Sequence, residues 1–154
     1  MKRLILLIVL LVMPCALLAG CGSGAENSGA AVSFDVEIRE KMFVTQMNEI
    51  YVNVDDYLGK SIKLEGMFMS TYYEPTDSIY CMVMRNGPGC CGTDGVVGFE
   101  VIFDENTTKT PKDNDWVEAI GTLEWYEELS QWYLRLNLSS LRVLNTRGAE
   151  TVLQ

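Results

Sequence analysis

The sequence predicts a mainly β protein: a small five-stranded barrel of the OB type with one short helical turn, and a β-sandwich as the alternative. Three observations lead there. Apolar and polar residues alternate with period two through five stretches after Ser61. Gly66 and Gly121 interrupt two of those stretches, where a small barrel needs its strands to coil sharply. No stretch beyond the N-terminal apolar run carries a long helical period.

The chain begins with Met1-Lys2-Arg3, then an unbroken apolar run from Leu4 to Met13 and a small or apolar segment to Gly20. This is the layout of a secretory signal, too short for a stable membrane span. It ends in Leu18-Ala19-Gly20-Cys21, which resembles the bacterial lipobox. The resemblance implies cleavage before Cys21 and lipidation of its thiol, with several acyl chains holding the protein on the extracytoplasmic side of the cell membrane. Residues 1–20 are thus read as a signal peptide and 21–33 as a lipidated tether. The segment Gly22 to Val32 is Gly, Ser and Ala with one acid and cannot bury a core. Its ten or so residues would reach about 15–20 Å from the bilayer.

The domain is read as 34–146. Phe34 to Ile38 alternates like a half-buried strand. Glu40 to Asn53 mixes signals, extended or a short helix, before a strand at Ile50-Tyr51-Val52. Asp55 to Lys60 reads as one helical turn stopped by Gly59. In the first long strand, from Ser61, Ile62, Leu64 and Phe68 face one way, and Lys63, Glu65, Met67 and Met69 the other. Glu74 to Asp77 is a turn. Ser78 to Arg85 follows, with Ile79, Cys81 and Val83 on one side and Tyr80, Met82 and Met84 on the other. A third strand turns Val97, Phe99, Val101 and Phe103 inward. A fourth, Trp116 to Trp125, does so with Val117, Ala119, Leu123 and Trp125. A fifth, Gln131 to Leu144, carries Trp132, Leu134, Leu136 and Leu138 on one side. Residues 147–154 are expected to fray.

Net charge is −9, from 21 acidic and 12 basic residues. Loss of Lys2 and Arg3 with the signal leaves ten basic residues and a charge of −11. Such a surface repels phosphate backbones, so nucleic acid is not an expected partner. The chain has no histidine, which excludes histidine-dependent nucleophilic catalysis and histidine metal ligands. No glycine-rich phosphate loop precedes a helix. The expectation is therefore a protein that is not an enzyme.

The chemistry-bearing residues gather at Asn86 to Gly95, a glycine-rich loop holding Cys90 and Cys91 between two apolar strands. Beyond Cys21, the mature chain has three thiols there and nearby: Cys81, Cys90 and Cys91. One reading joins Cys81 to Cys90 or Cys91 in a disulfide. A second leaves the thiols reduced, as small hydrophobes or redox groups. A third makes Cys81, Cys90, Cys91 and Asp94 a site for zinc or another soft metal such as Cu(I). Gly87, Gly89, Gly92, Thr93 and Gly95 form the candidate contact loop. Tyr72, Tyr73, Tyr80, Trp116, Trp125, Tyr126, Trp132 and Tyr133 lie on or near strand surfaces. Most are read as core, with a subset on one barrel face able to bind a ligand, as OB-fold faces do.

Three segments carry a family resemblance: Asn48 to Asn53 leading into Tyr57-Leu58-Gly59-Lys60, Ile62 to Gly66, and Cys90-Cys91-Gly92-Thr93-Asp94 with Val97 to Val101. Together they make residues 42–145 similar to the extracytoplasmic C-terminal domain of proteins assigned as two-component permease subunits in Gram-positive bacteria. Those proteins carry a membrane-spanning N-terminal half, where this chain carries a lipid anchor. The resemblance implies a domain working outside the membrane beside a permease that is a separate polypeptide. The expectation is a lipid-anchored accessory or binding module, with an extracytoplasmic metal-binding or thiol-redox protein as the alternative.

Overall fold

The computed structural model describes residues 32–89, 92–105 and 108–153, and for 92–94 the backbone alone. The signal peptide, Cys21 and most of the tether lie outside these residues. Six strands and one α-helix are present among the described residues. They are β1 (Val36–Glu37), α1 (Phe43–Val52), β2 (Ser61–Tyr73), β3 (Ser78–Gly89), β4 (Gly92–Ile102), β5 (Trp116–Glu128) and β6 (Gln131–Val143). The hydrogen-bonded order is β1-β2-β3-β4-β6-β5, and β5 returns to β2. Strands β2 to β6 therefore close a barrel with the strand order of an OB-fold, including the parallel pair β4–β6 from Glu100↔Arg135 to Ile102↔Asn137.

Closure depends on β2 changing partner half-way. Ser61 to Met67 pairs antiparallel with β5, and Met67 to Tyr73 pairs with β3. Gly66 sits at the handover. A Cβ there would lie 2.7 Å from the Met84 carbonyl oxygen, so the crossing strands approach only because the side chain is absent. A register shift at Ile120/Gly121 bends β5 against β6 in the same way. The period-two faces put Ile62, Leu64, Phe68, Val83, Phe99 and Leu136 in the core, all but inaccessible. Met67, expected to face outward, is instead buried at the handover.

The segment before β2 corrects one expectation. Ile50-Tyr51-Val52 is the last turn of α1, not a strand. Phe43, Met47 and Ile50 recur at helical spacing, and all three are buried in the same cluster as the barrel core. Burying them contributes on the order of 5–8 kcal/mol before the entropy of ordering the helix. The chain leaves α1 at Asn53 through a 3₁₀ turn, Val54–Asp56. It is stopped at Gly59, whose φ of +75° suits glycine.

The C-terminal residues correct another. Residues 148–153, expected to fray, dock along β3. Asn86 donates its amide to the Glu150 carbonyl at 2.8 Å, and Val152 returns a bond to Asn86 O at 2.9 Å. The Val152 side chain is buried. The anchor is Arg85, whose side chain is 2% exposed. Its guanidinium lies between the rings of Phe43 (4.8 Å) and Trp116 (4.7 Å). Arg85 Nε donates to Glu65 O at 2.8 Å, and Nη1 donates to Glu40 Oε2 and Ala149 O, both at 3.0 Å. Glu40 Oε2 also accepts the Ala149 amide at 2.7 Å. One ion pair thus fastens the N-terminal arm, β3 and the C-terminal segment together. Edge β2 carbonyls that β3 no longer reaches are served by this side chain and by β1.

Candidate functional site

The expected glycine-rich loop is in fact the end of a long hairpin. The β3–β4 ladder runs from Cys81↔Val101 past Gly87↔Gly95 to Gly89↔Gly92. Gly95 permits this, because a Cβ there would meet the Pro88 carbonyl oxygen at 2.5 Å. Cys90 and Cys91 lie outside the described residues, as do the side chains of Gly92, Thr93 and Asp94. Cys81 is described. It is a free, half-buried thiol eight residues of continuous strand before Gly89. At about 3.3 Å per residue that is on the order of 26 Å of strand, whereas a disulfide needs Cα atoms within about 7 Å. The register thus sets Cys81 well away from Gly89, while the disulfide and metal readings that join it to Cys90, Cys91 and Asp94 fall on residues outside those described. Burial, then the charges of Glu105, Asp113 and Glu100, push the Cys81 thiol upward, away from reactive thiolate. Among the described residues, no three His, Cys, Asp or Glu side chains are grouped to hold a metal.

A different place gathers chemistry. Tyr51 from α1, Met82 from β3, Gly98 and Glu100 from β4, and Trp125, Trp132, Tyr133 and Leu134 from the β5–β6 hairpin line an open cleft of about 350 Å³. Its four aromatic residues are all accessible: Tyr51 49%, Trp125 41%, Trp132 64% and Tyr133 39%. Strand register assembles it. Met82 pairs with Glu100, Glu100 with Arg135, and Arg135 with Glu124, while Tyr133 pairs with Tyr126. Tyr51 is held over β4 by a hydrogen bond from its hydroxyl to Gly98 O at 3.0 Å and by its ring against Phe99 at 5.5 Å. Leu129 and Ser130, both at positive φ, make the tight β5–β6 turn from which Trp125 and Trp132 project beyond the barrel. The alternation predicts Trp125 inward and puts Trp132 on the side of Leu134, Leu136 and Leu138. The two tryptophans share the inward parity of Leu123 and Leu134, but the hairpin outruns the barrel there, and the described residues leave both exposed.

The polar groups around the cleft are mostly engaged. Tyr126 donates to Glu100 Oε2 at 2.6 Å, and its ring carries the Arg135 guanidinium at 4.4 Å. Arg135 Nε bonds Glu124 Oε1 at 2.8 Å. Tyr80 donates to Glu128 at 2.6 Å. Burial raises the Glu100 carboxyl above its ordinary value, against the lowering effects of Tyr126 and Arg135. Burial, then the bond to Glu100, raises the Tyr126 hydroxyl. Glu100 is left as a half-buried carboxylate with no cation within ion-pair distance among the described residues. A second cleft of about 240 Å³ lies between Glu37–Glu40, Lys63–Glu65 and Arg85. Its charged groups are spent on the interactions that hold the termini, so it reads as structural.

One family model matches the chain over residues 25–149. The chain belongs to the DUF1980 C-terminal domain family. No curated protein sequence matches it. In this DUF1980 C-terminal domain the residues singled out from sequence divide in two. Of the aromatic residues, Trp125, Trp132 and Tyr133 line the cleft, Trp116 is core, and Tyr72, Tyr73, Tyr80 and Tyr126 stand outside its lining. Cys81 lies eight strand residues before Gly89, and Cys90 and Cys91 lie outside the described residues. Glu100 and Tyr51 were not foreseen. Glu100 could have been, because its parity puts an acid on the same outer face as Met82, whereas Tyr51 was hidden by the mistaken strand.

Proposed function

We propose that this protein is a lipid-anchored extracytoplasmic binding module that serves a separate permease, and that the aromatic cleft is its ligand face. The observation that carries the reading is the convergence of four exposed aromatic side chains beside β3 and β4 and next to the β5–β6 turn. In an OB barrel these are the second and third strands and the last interstrand loop, where the fold takes its ligands. Aromatic residues exposed singly need no explanation, but four on one concave site do. The lipobox at Leu18–Cys21 and the permease-subunit resemblance support the membrane setting. The acid excess argues against a nucleic-acid ligand. Nothing in the cleft resembles an activated nucleophile, and binding without catalysis is the function proposed.

The test has two parts. Full-length protein fractionates with membranes, Cys21→Ser releases it, and an integral membrane protein co-purifies from non-ionic detergent. A Trp132→Ala variant, anchored and folded, reproduces the phenotype of losing the gene. Recovery of wild type in the soluble fraction, or of no integral partner, refutes the membrane role. An unchanged phenotype in Trp132→Ala removes the cleft from the function.

A further inference from the structure

We infer that the cleft takes a small organic cation, with an alkylated ammonium head held among Tyr51, Trp125, Trp132 and Tyr133 and facing Glu100. This deepens the reading of the cleft as the ligand face and rests on it. Three observations support it independently of one another.

The first is the wall. Tyrosine and tryptophan rings present a negative face, and a cation within about 6 Å of several such faces gains most when it is weakly hydrated. All four rings border one site and are open to it. The second is the floor. Glu100 is half-buried, and one of its oxygens accepts from Tyr126. The nearest strand neighbour with positive charge, Arg135, is committed to Glu124 at 2.8 Å and to the Tyr126 ring. Of the other acids in the same hairpin, Glu124 and Glu128 are engaged by Arg135 and Tyr80, and Glu127, opposite Trp132, is exposed to water and so carries little desolvation cost. A desolvated carboxylate without an ion-pair partner is costly, and a bound cation would relieve that cost. The third is the field. The chain carries 21 acidic against 12 basic residues, so cations concentrate at its surface and anions are repelled. The volume, about 350 Å³, suits a small molecule.

The experiment uses full-length protein in non-ionic detergent and the fluorescence of the tryptophans. Two of the three line the cleft, while Trp116 is buried. Choline chloride is titrated against sodium chloride at equal ionic strength. Its uncharged isostere 3,3-dimethyl-1-butanol and a tetramer of N-acetylglucosamine are titrated in parallel. Choline should give a saturable change, with the isostere at least about tenfold weaker. Glu100→Gln, which keeps an acceptor for Tyr126, should weaken choline about tenfold while circular dichroism is unchanged. Trp132→Ala should abolish the response. Equal binding of the isostere, no saturation by choline, or full affinity in Glu100→Gln overturns the inference. Tetrasaccharide binding that disappears in Trp132→Ala also overturns the cation, yet leaves the cleft standing as the ligand face.

Discussion

Arg85→Met is the most informative perturbation of the fold. Methionine is of comparable length and keeps apolar contact with Phe43 and Trp116, so little cavity forms. The charge and three hydrogen bonds go. Glu40 is 47% exposed, and its carboxylate rehydrates on losing Arg85. Ala149 is exposed as well. The Glu65 carbonyl, beneath a side chain that is 2% exposed, loses its donor. An orphaned buried carbonyl costs about 1–3 kcal/mol, and cation–π contact with two rings adds about 1–2 kcal/mol. The expected loss is about 3 kcal/mol, or roughly 10 °C in Tm for a domain of this size. Glu40→Gln keeps an acceptor for Arg85 and Ala149, so it should cost about 1 kcal/mol or less, because the pair is half-exposed on that side. Urea unfolding followed by circular dichroism separates the two. The Glu40 carboxyl is lowered below its ordinary 4.5, by the Ala149 amide first and Arg85 second. Its contribution is therefore present above that value and disappears as pH falls through the lowered folded one. Glu40→Gln should flatten this acid limb. Arg85→Met within 0.5 kcal/mol of wild type, or Glu40→Gln as damaging as Arg85→Met, would refute the argument.

Other expected outcomes follow from single contacts. Gly66→Ala drives a Cβ to 2.7 Å from Met84 O, between two paired backbones that cannot give way. It should cost about 2–3 kcal/mol by thermal melt, and a Tm within 2 °C of wild type would contradict the partner handover. Removing residues 148–154 deletes the Val152 burial, the Asn86 bonds and the two Ala149 bonds to Arg85 and Glu40, whose partners water can then reach. Ordering entropy offsets most of that, so a net loss of about 1–2 kcal/mol is expected, with hydrogen exchange quickened at Asn86. Cys81 should react with iodoacetamide at pH 7.5 at least about tenfold more slowly than glutathione, from its raised thiol. Equal rates in a Cys90→Ser, Cys91→Ser background would mean that the site is open.

The barrel was legible because its signal is local. Period-two patterning placed the five long strands, and the mid-strand glycines at 66 and 121 fall where strands change partner or bulge. What sequence hid was length and register. A strand pattern does not show where the barrel ends, so the alternation turns Trp125 inward although it stands exposed beside Trp132 near the hairpin turn. Nor does it show that the hairpin ladder continues to Gly89↔Gly92, which is what carries Cys81 away from the tip. Ile50-Tyr51-Val52 has β-branched and aromatic residues, but Phe43, Met47 and Ile50 on one helical face outweigh that local preference. Arg85 was within reach. It continues the inward side of Ile79, Cys81 and Val83, and an arginine at an inward position must find partners.

Two carboxylates differ in whether they hold the arginine beside them. Glu40 and Glu100 each accept from neighbours, and each sits beside an arginine. Glu40 holds its arginine, and that pair closes the N-terminal arm and the C-terminal segment against β3. Glu100 does not, because Arg135 spends its Nε on Glu124 and its face on Tyr126. If Glu100 served only to hold the sheet, pairing with Arg135, its strand neighbour, would be the cheaper arrangement. Glu124→Gln tests this directly. Freed of its partner, Arg135 should swing toward Glu100 and lower that carboxyl, with stability changed by less than about 1 kcal/mol. Choline binding should then fall about as far as in Glu100→Gln. Unaltered choline binding, together with a lowered Glu100 carboxyl seen by NMR titration, would show that the charge in the cleft does not recognise the ligand.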